Sequence, residues 1–203
     1  QALAKIPTEK YLTERVDFAT FSSHKFHGVR GVGFVYIKSG KKITPLLTGG
    51  GQERDYRSTT ENVAGIAATA KALRLSMEKL DIFTSKTEQM KAVIRQALLD
   101  YPDIFVFSDE EDFAPHILTF GIKGVRGEVI VHAFEDYDIF ISTTSACSSK
   151  AGKPAGTLIA MGVDKDKAQS AVRLSLDLEN DMSQVEQFLT KLKLIYNQTR
   201  KVR

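Results

Sequence analysis

Phe21-Ser22-Ser23-His24-Lys25-Phe26-His27-Gly28 places a lysine one residue after a histidine and three after a serine. It continues Val16-Asp17-Phe18-Ala19-Thr20-Phe21, whose alternation predicts a strand that stops at Ser22. A lysine at a strand end, with anion-binding side chains beside it, suits covalent capture of a phosphorylated aldehyde. Downstream, Phe34-Val35-Tyr36-Ile37 predicts a second strand, closed by the turn Lys38-Ser39-Gly40-Lys41. The run between them, Gly28-Val29-Arg30-Gly31-Val32-Gly33, reads as a structural turn near the site. Glycines serve strand-to-strand turns for the same dihedral reasons that they serve phosphate cradles.

Working outward, Gly49-Gly50-Gly51-Gln52-Glu53-Arg54-Asp55-Tyr56-Arg57-Ser58-Thr59-Thr60 has too little apolar content for a buried element and reads as a loop. A helix is expected from about Glu61, capped by Thr59 or Thr60, with Val63, Ile66, Ala67, Ala70, Leu73, Met77 and Leu80 on one apolar face. A hydroxyl and free amides at a helix start bind anions, which gives Thr60 a reason to touch a phosphate as well as the plainer role of a cap. A pause is expected at Asp81-Ile82-Phe83-Thr84, then a helix opened by the capping box Ser85 and Glu88, and a domain boundary near residue 82.

Strands are predicted at Ile104-Phe105-Val106-Phe107, from His116 to Ile122, and at Asp138-Ile139-Phe140-Ile141-Ser142. Glu128 to Tyr137 fits a strand or a helix. A short helix from about Pro154 to Met161 precedes Ala171-Val172-Arg173-Leu174-Ser175-Leu176, a strand with one arginine in apolar surroundings. The last helix opens on the capping box Ser183 and Glu186 and repeats Val185, Phe188, Leu189, Leu192, Ile195 and Tyr196 at helical spacing. The alternation of strands and helices predicts a layered α/β or α+β domain in the second half.

With 42% apolar and 26% charged residues, the 203-residue chain has the composition of an ordinary globular protein. Its net charge of +3 is dispersed, so nucleic acid is not implied as a partner. The basic C-terminal Thr199-Arg200-Lys201-Val202-Arg203 is read as a solvated helix end that suits the helix dipole. No apolar run approaches the roughly 18 residues of a membrane span, and a cytoplasmic setting is expected. The one cysteine, Cys147, lies in the polar loop Thr143-Thr144-Ser145-Ala146-Cys147-Ser148-Ser149-Lys150-Ala151-Gly152-Lys153 and has no internal disulfide partner. Gln1-Ala2-Leu3-Ala4-Lys5-Ile6-Pro7 begins without methionine, as a chain cut from something longer would.

Lys25 with Ser22 and His24, Cys147 in its small polar loop, and Arg173 inside a strand each have a plain reading: a solvated lysine, a packed thiol, a paired or edge arginine. Together the motifs resemble the cysteine desulfurases of the class V aminotransferase group, pyridoxal-phosphate enzymes of fold type I. The resemblance runs through Ser22-Ser23-His24-Lys25 with Gly28 to Gly33, Gly49-Gly50-Gly51-Gln52-Glu53-Arg54 with Arg57-Ser58-Thr59-Thr60-Glu61-Asn62, Ser145-Ala146-Cys147-Ser148-Ser149, and Val172-Arg173-Leu174-Ser175-Leu176.

That resemblance implies an α/β fold made of the C-terminal part of a fold type I enzyme. Residues 1–82 would close the cofactor-binding large domain, and residues 83–203 would form a small domain carrying the Cys147 loop. It implies that Lys25 carries pyridoxal 5'-phosphate covalently and that Ser22 and His24 hold its phosphate, with Thr60 contributing from the partner subunit of a homodimer. Gln1 would hydrogen-bond the cofactor's phenolic oxygen, and Arg173 would grip the α-carboxylate of L-cysteine. Cys147 would receive the sulfur as a persulfide and pass it to an acceptor protein for iron-sulfur cluster assembly or tRNA thiolation; no metal is implied. The alternatives are selenocysteine lysis, transamination, or a fragment that docks a sulfur acceptor without turnover. Val29-Arg30, Thr59, Thr144 and Asp177 replace the family's usual Pro-Lys and three glycines, so loop geometry is expected to differ there. The family's acidic partner for the pyridine nitrogen precedes the position of Gln1, so the isolated 203-residue piece is expected to be a poor enzyme.

Overall fold

A computed structural model describes residues 1–108, 113–143 and 156–201. The chain divides into two compact units, Gln1–Ile82 and Phe83–Arg203.

In the first unit, β1 (Phe18–Ser22) and β2 (Gly33–Ile37) form an antiparallel ribbon in which Phe21 faces Phe34 and Ser22 faces Gly33. The Phe21 and Phe34 rings stack at 5.0 Å. A 3-10 turn, Ser23–Phe26, follows β1 directly. Phe21 and Phe26 are buried with Leu3 and Ala4, so a small apolar cluster roots both ends of the Ser22–Phe26 segment.

Helix α1 (Val63–Glu78) departs from expectation in two ways. Its cap is Asn62, whose side-chain oxygen accepts from the Gly65 amide at 3.0 Å, rather than Thr59 or Thr60. An asparagine carbonyl reaches the third amide as well as a threonine hydroxyl does, and here it stands one residue from the first helical turn. The buried side of α1 also coincides only in part with the apolar stripe, of which Leu73 packs on the Phe21–Phe26 cluster. Gly65 and Thr69 are buried, while Val63 is 71% exposed and Ile66 45%. Small side chains let this helix approach the turn closely, and close approach decides which face packs.

The second unit opens inside α2 (Leu80–Leu99), which runs through the expected pause and the Ser85–Glu88 capping box. Phe83, Thr87, Met90, Ile94 and Leu98 fall on one buried side of it, and packing along that side overrides the local start signal. Strands β3 (Ile104–Val106), β4 (Ile117–Ile122), β5 (Ser142–Thr143) and β6 (Ala171–Ser175) form an antiparallel sheet in the order β3-β4-β6-β5. The ambiguous segment is a helix, α3 (Gly127–Glu135), and the expected strand at Asp138–Ser142 shrinks to β5. Asp138 is left-handed at φ 57° and Phe140 is 78% exposed, neither of which suits a paired strand interior.

Leu118, Phe120 and Ile122 of β4 and Val172 and Leu174 of β6 turn one sheet face to α2, α3 and α6 (Met182–Lys201). Phe134 of α3 stacks on Phe188 of α6 at 4.9 Å and 7°. Ala171, on the alternate side of β6, joins Leu158 of α4 (Gly156–Ala160) and Ala168 of α5 (Lys165–Gln169), the latter a helix that periodicity did not reveal. Pro154, where the short helix was expected to begin, lies outside the described residues.

The cap of α6 is also displaced from expectation. Asp181 accepts from the Ser183 hydroxyl at 2.6 Å and from the Gln184 amide at 3.0 Å, so the acceptor precedes the predicted Ser183–Glu186 box. The Ser183 hydroxyl, then the Gln184 amide, hold the Asp181 carboxyl below the usual carboxylate range. A depressed folded value stabilises the fold above the ordinary carboxylate pKa and is lost as pH falls through the folded one. The melting temperature should therefore separate the protein from Asp181→Ala at neutral pH, and the gap should close as the solution is acidified through that range. A gap independent of pH would mean that Asp181 does not act through its charge.

Candidate functional site

Exposure alternates sharply across the turn. Ser23 and Phe26 are 0% and 1% exposed, while Ser22, His24 and Lys25 all stand exposed. The buried residues are held from α1: Thr69 Oγ1 lies 2.9 Å from Ser23 Oγ, and Ser76 Oγ donates to the Phe26 carbonyl at 3.2 Å. The Ser23 amide donates to the Val32 carbonyl, and the Gly28 amide donates to the Ser23 carbonyl, both at 3.0 Å. His27 closes the turn in the left-handed region, φ 64°. Lys5 is buried, with its ammonium 3.4 Å from His27 Nε2. An ammonium can only donate, so the ring nitrogen accepts there. Lys25 and Lys5 are thus in opposite situations, one presented outward on a fixed backbone and the other engaged inside.

The turn brings together Ser22, His24 and Lys25. Gln1 and Thr60 lie on other segments of the same unit, both exposed, with Thr60 two residues before the Asn62 cap. The preceding loop holds three consecutive non-glycine residues in the left-handed region, Glu53, Arg54 and Asp55 at φ 50°, 57° and 67°. Each costs on the order of 1 kcal/mol relative to ordinary backbone. The Asp55 amide bonded to the Gly51 carbonyl at 3.2 Å and the Ser58 amide bonded to the Leu47 carbonyl at 3.1 Å hold that run in place. Thr59 and Asp177 are not among the left-handed residues, so neither position needs glycine for its dihedrals.

Arg173 lies in the second unit on the internal strand β6, opposite Thr119 of β4 and Ser142 of β5. Its neighbours Val172 and Leu174 enter the core, so the period-two alternation sends Arg173 to the other sheet face. Its Nε is buried and has no hydrogen-bond partner among the described residues. A guanidinium carries donors only, and an unmet buried donor is costly, so this position suits an anionic ligand with two oxygens. Cys147 lies outside the described residues. An exposed amine on a braced turn, flanked by a hydroxyl and an imidazole, fits a phosphorylated aldehyde, and the unmet donor of Arg173 fits a carboxylate.

Ser23, Thr69 and Ser76 escaped the sequence reading. The available signal was Gly65 and Thr69 four residues apart within an alanine-rich helix, a small polar stripe where the apolar one drew attention.

The sequence family described as aminotransferase class-V matches residues 2–188. A NifS/IcsS protein homolog of Lactobacillus delbrueckii subsp. bulgaricus is 47% identical over all of this chain and 53% of its own length. The cysteine desulfurase IscS of Clostridium botulinum is 35% identical over 92% of this chain and 48% of its own. Among solved structures, a NifS-like protein superposes with a TM-score of 0.84 at 35% identity, over 97% of this chain and 50% of that one. A NifS-like protein from Rickettsia africae gives 0.83 at 29% identity, over 97% and 52%. The chain thus spans about half the length of the curated relatives it matches. A match over 187 consecutive positions takes in both the lysine turn and the Arg173 strand, and the chain belongs to the aminotransferase class-V family.

Proposed function

We propose that this chain works in a pyridoxal-phosphate-dependent cysteine desulfurase, with residues 1–82 in its cofactor-binding large domain and residues 83–203 forming its small domain. The observation that carries the reading is the turn itself, which buries Ser23 and Phe26 and presents Ser22, His24 and Lys25. Similarity to NifS- and IscS-type proteins over 92% or more of this chain supports it.

Bound pyridoxal phosphate supplies an electron sink for the charge that develops at the substrate's α-carbon. Lys25 would hold that group covalently, and its amine, when free, is the base placed to move the substrate's α-proton. Ser22 and His24 would bind the phosphate, joined by Thr60 from the second subunit of a homodimer, and Gln1 would hydrogen-bond the phenolic oxygen. Arg173 fixes the substrate carboxylate with two parallel N–H bonds, which orients the thiol end of L-cysteine. The Cys147 sulfur, as thiolate, attacks the substrate sulfur. The carbon–sulfur bond breaks as the sulfur–sulfur bond forms, the electron pair stays with carbon, and a proton completes the methyl group of L-alanine. Cys147 is left as a persulfide, which a cytoplasmic acceptor protein consumes for iron-sulfur cluster assembly or tRNA thiolation.

With pyridoxal phosphate and L-cysteine, the whole protein should form alanine in step with sulfide under a reductant. Cys147→Ala should abolish both, leaving cofactor absorbance unchanged. Amino transfer that survives Cys147→Ala would favour a transaminase, and selenium release without sulfur release would favour selenocysteine lysis.

A further inference from the structure

The turn that presents Lys25 is gripped at both ends by hydroxyls of α1, and this grip has a directionality that apolar packing lacks. Ser23 begins the turn and Phe26 ends it, and Lys25 lies between them. Ser23 Oγ meets Thr69, and the Phe26 carbonyl meets Ser76, seven residues further along the same helix and therefore on the same face. Thr69 Oγ1 is also 2.7 Å from the Gly65 carbonyl. A hydroxyl has one proton, and a carbonyl has none to give. Thr69 therefore donates to Gly65, and Ser23 donates to Thr69, so the chain of bonds runs from the turn into the helix backbone. The missing side chain of Gly28 makes room for it: a Cβ there would fall 1.9 Å from Ser23 Oγ.

We propose that Thr69, seconded by Ser76, is a positioning residue that fixes the orientation of Lys25 by hydrogen-bonding the two ends of its turn. The proposal rests on the reading of Lys25 as the cofactor lysine. Thr69→Val keeps the branched shape and removes the acceptor that Ser23 uses, while Thr69→Ser keeps the hydroxyl and drops a methyl. In the whole protein without cofactor, Thr69→Val should speed amide exchange at Gly28, whose N–H is held by the Ser23 carbonyl, by about tenfold, the equilibrium factor of one buried hydrogen bond. With pyridoxal phosphate bound at saturation, the same variant should weaken the induced circular dichroism of the cofactor band. Thr69→Ser should restore both. Ser76 is half-buried and Ser76→Ala is the milder change; it should shift both readouts in the same direction should Thr69→Val fail to fold.

Unchanged exchange and dichroism in a folded Thr69→Val protein would overturn the proposal. Equal effects of Val and Ser at position 69 would overturn it too, because they would reflect packing rather than the hydroxyl. The exchange measurement needs no cofactor. An adduct that persists in Lys25→Ala would therefore refute the cofactor reading while leaving the exchange result to judge the clamp.

Discussion

Lys25→Ala should leave no site-specific pyridoxal phosphate on the protein. With the parent protein, borohydride reduction and peptide mass mapping should place the fixed cofactor on the peptide containing residue 25; in the variant that mass should be missing. The argument is one of presentation. An amine captures an aldehyde only when the carbonyl carbon can reach it, and the phosphate must be anchored within one side-chain length. Lys25 meets the first condition by standing exposed on a turn whose backbone is tied to Val32, just before β2, and to α1. Ser22 and His24, exposed on the same turn, meet the second. Lys5 is the instructive contrast: it is nearby in the fold but buried against His27, so it should not label. Loss of alanine formation should reach at least about a hundredfold, since a positioned acid–base group contributes that much even at the low end. An adduct that moves to Lys5, or that spreads over several surface lysines in the parent protein, would remove Lys25 from the site.

Much of this arrangement was legible from residue order, and what escaped has a common physical cause. The ends of β1 and β2 follow from alternation and glycine punctuation, and α6 from a five-member buried stripe that includes Phe188, Leu192 and Tyr196. Helix α6 buries what its periodicity says it should, whereas β1 buries only Phe21 and β2 leaves Phe34, Val35 and Tyr36 exposed. Helix α1 also departs from its periodicity: of its apolar stripe Val63, Ile66 and Met77 are exposed within its own unit while Leu73 packs partly buried, and the fully buried residues are Gly65 and Thr69. Periodicity measures which side chains avoid water, whereas close approach of a helix to a turn selects small ones, and the two criteria disagree here. Caps failed for a related reason. Asn62 stands close to the expected Thr59 or Thr60 and Asp181 close to Ser183, and several side chains that can accept from an amide are equivalent until the backbone fixes which amide is within reach. The uninterrupted α2 shows local signals yielding to tertiary packing, since Phe83 and Thr87 are buried on either side of the expected start. For the site, the motif residues were visible because their chemistry is local, but Ser23 and Thr69 are 46 positions apart and meet only in the fold.

Gly28→Ala should cost about 2–4 kcal/mol of stability and reduce labelling of Lys25 in proportion to the displaced turn. The added Cβ would lie 1.9 Å from Ser23 Oγ, 3.0 Å from the Ser23 carbonyl oxygen and 3.2 Å from Ser23 Cβ. The nearest clash can be relieved only by rotating the Ser23 hydroxyl away from Thr69, which strands a buried O–H; the carbonyl contact can be relieved only by moving the backbone that precedes His24 and Lys25. Overpacking and a lost hydrogen bond therefore add, and both act on the turn that carries the lysine. The two contributions separate in a cycle. Ser23→Ala alone removes the hydroxyl and leaves Thr69 its bond to Gly65, a modest loss. Combined with Gly28→Ala, it removes the 1.9 Å clash, so the double variant should be more stable than Gly28→Ala alone even though it carries an additional deletion. Denaturant unfolding of the four proteins gives the coupling, and Lys25 labelling should recover alongside it. Additive losses would mean that Gly28 is held by the backbone contact alone, and that the Ser23 hydroxyl does not need the space glycine leaves.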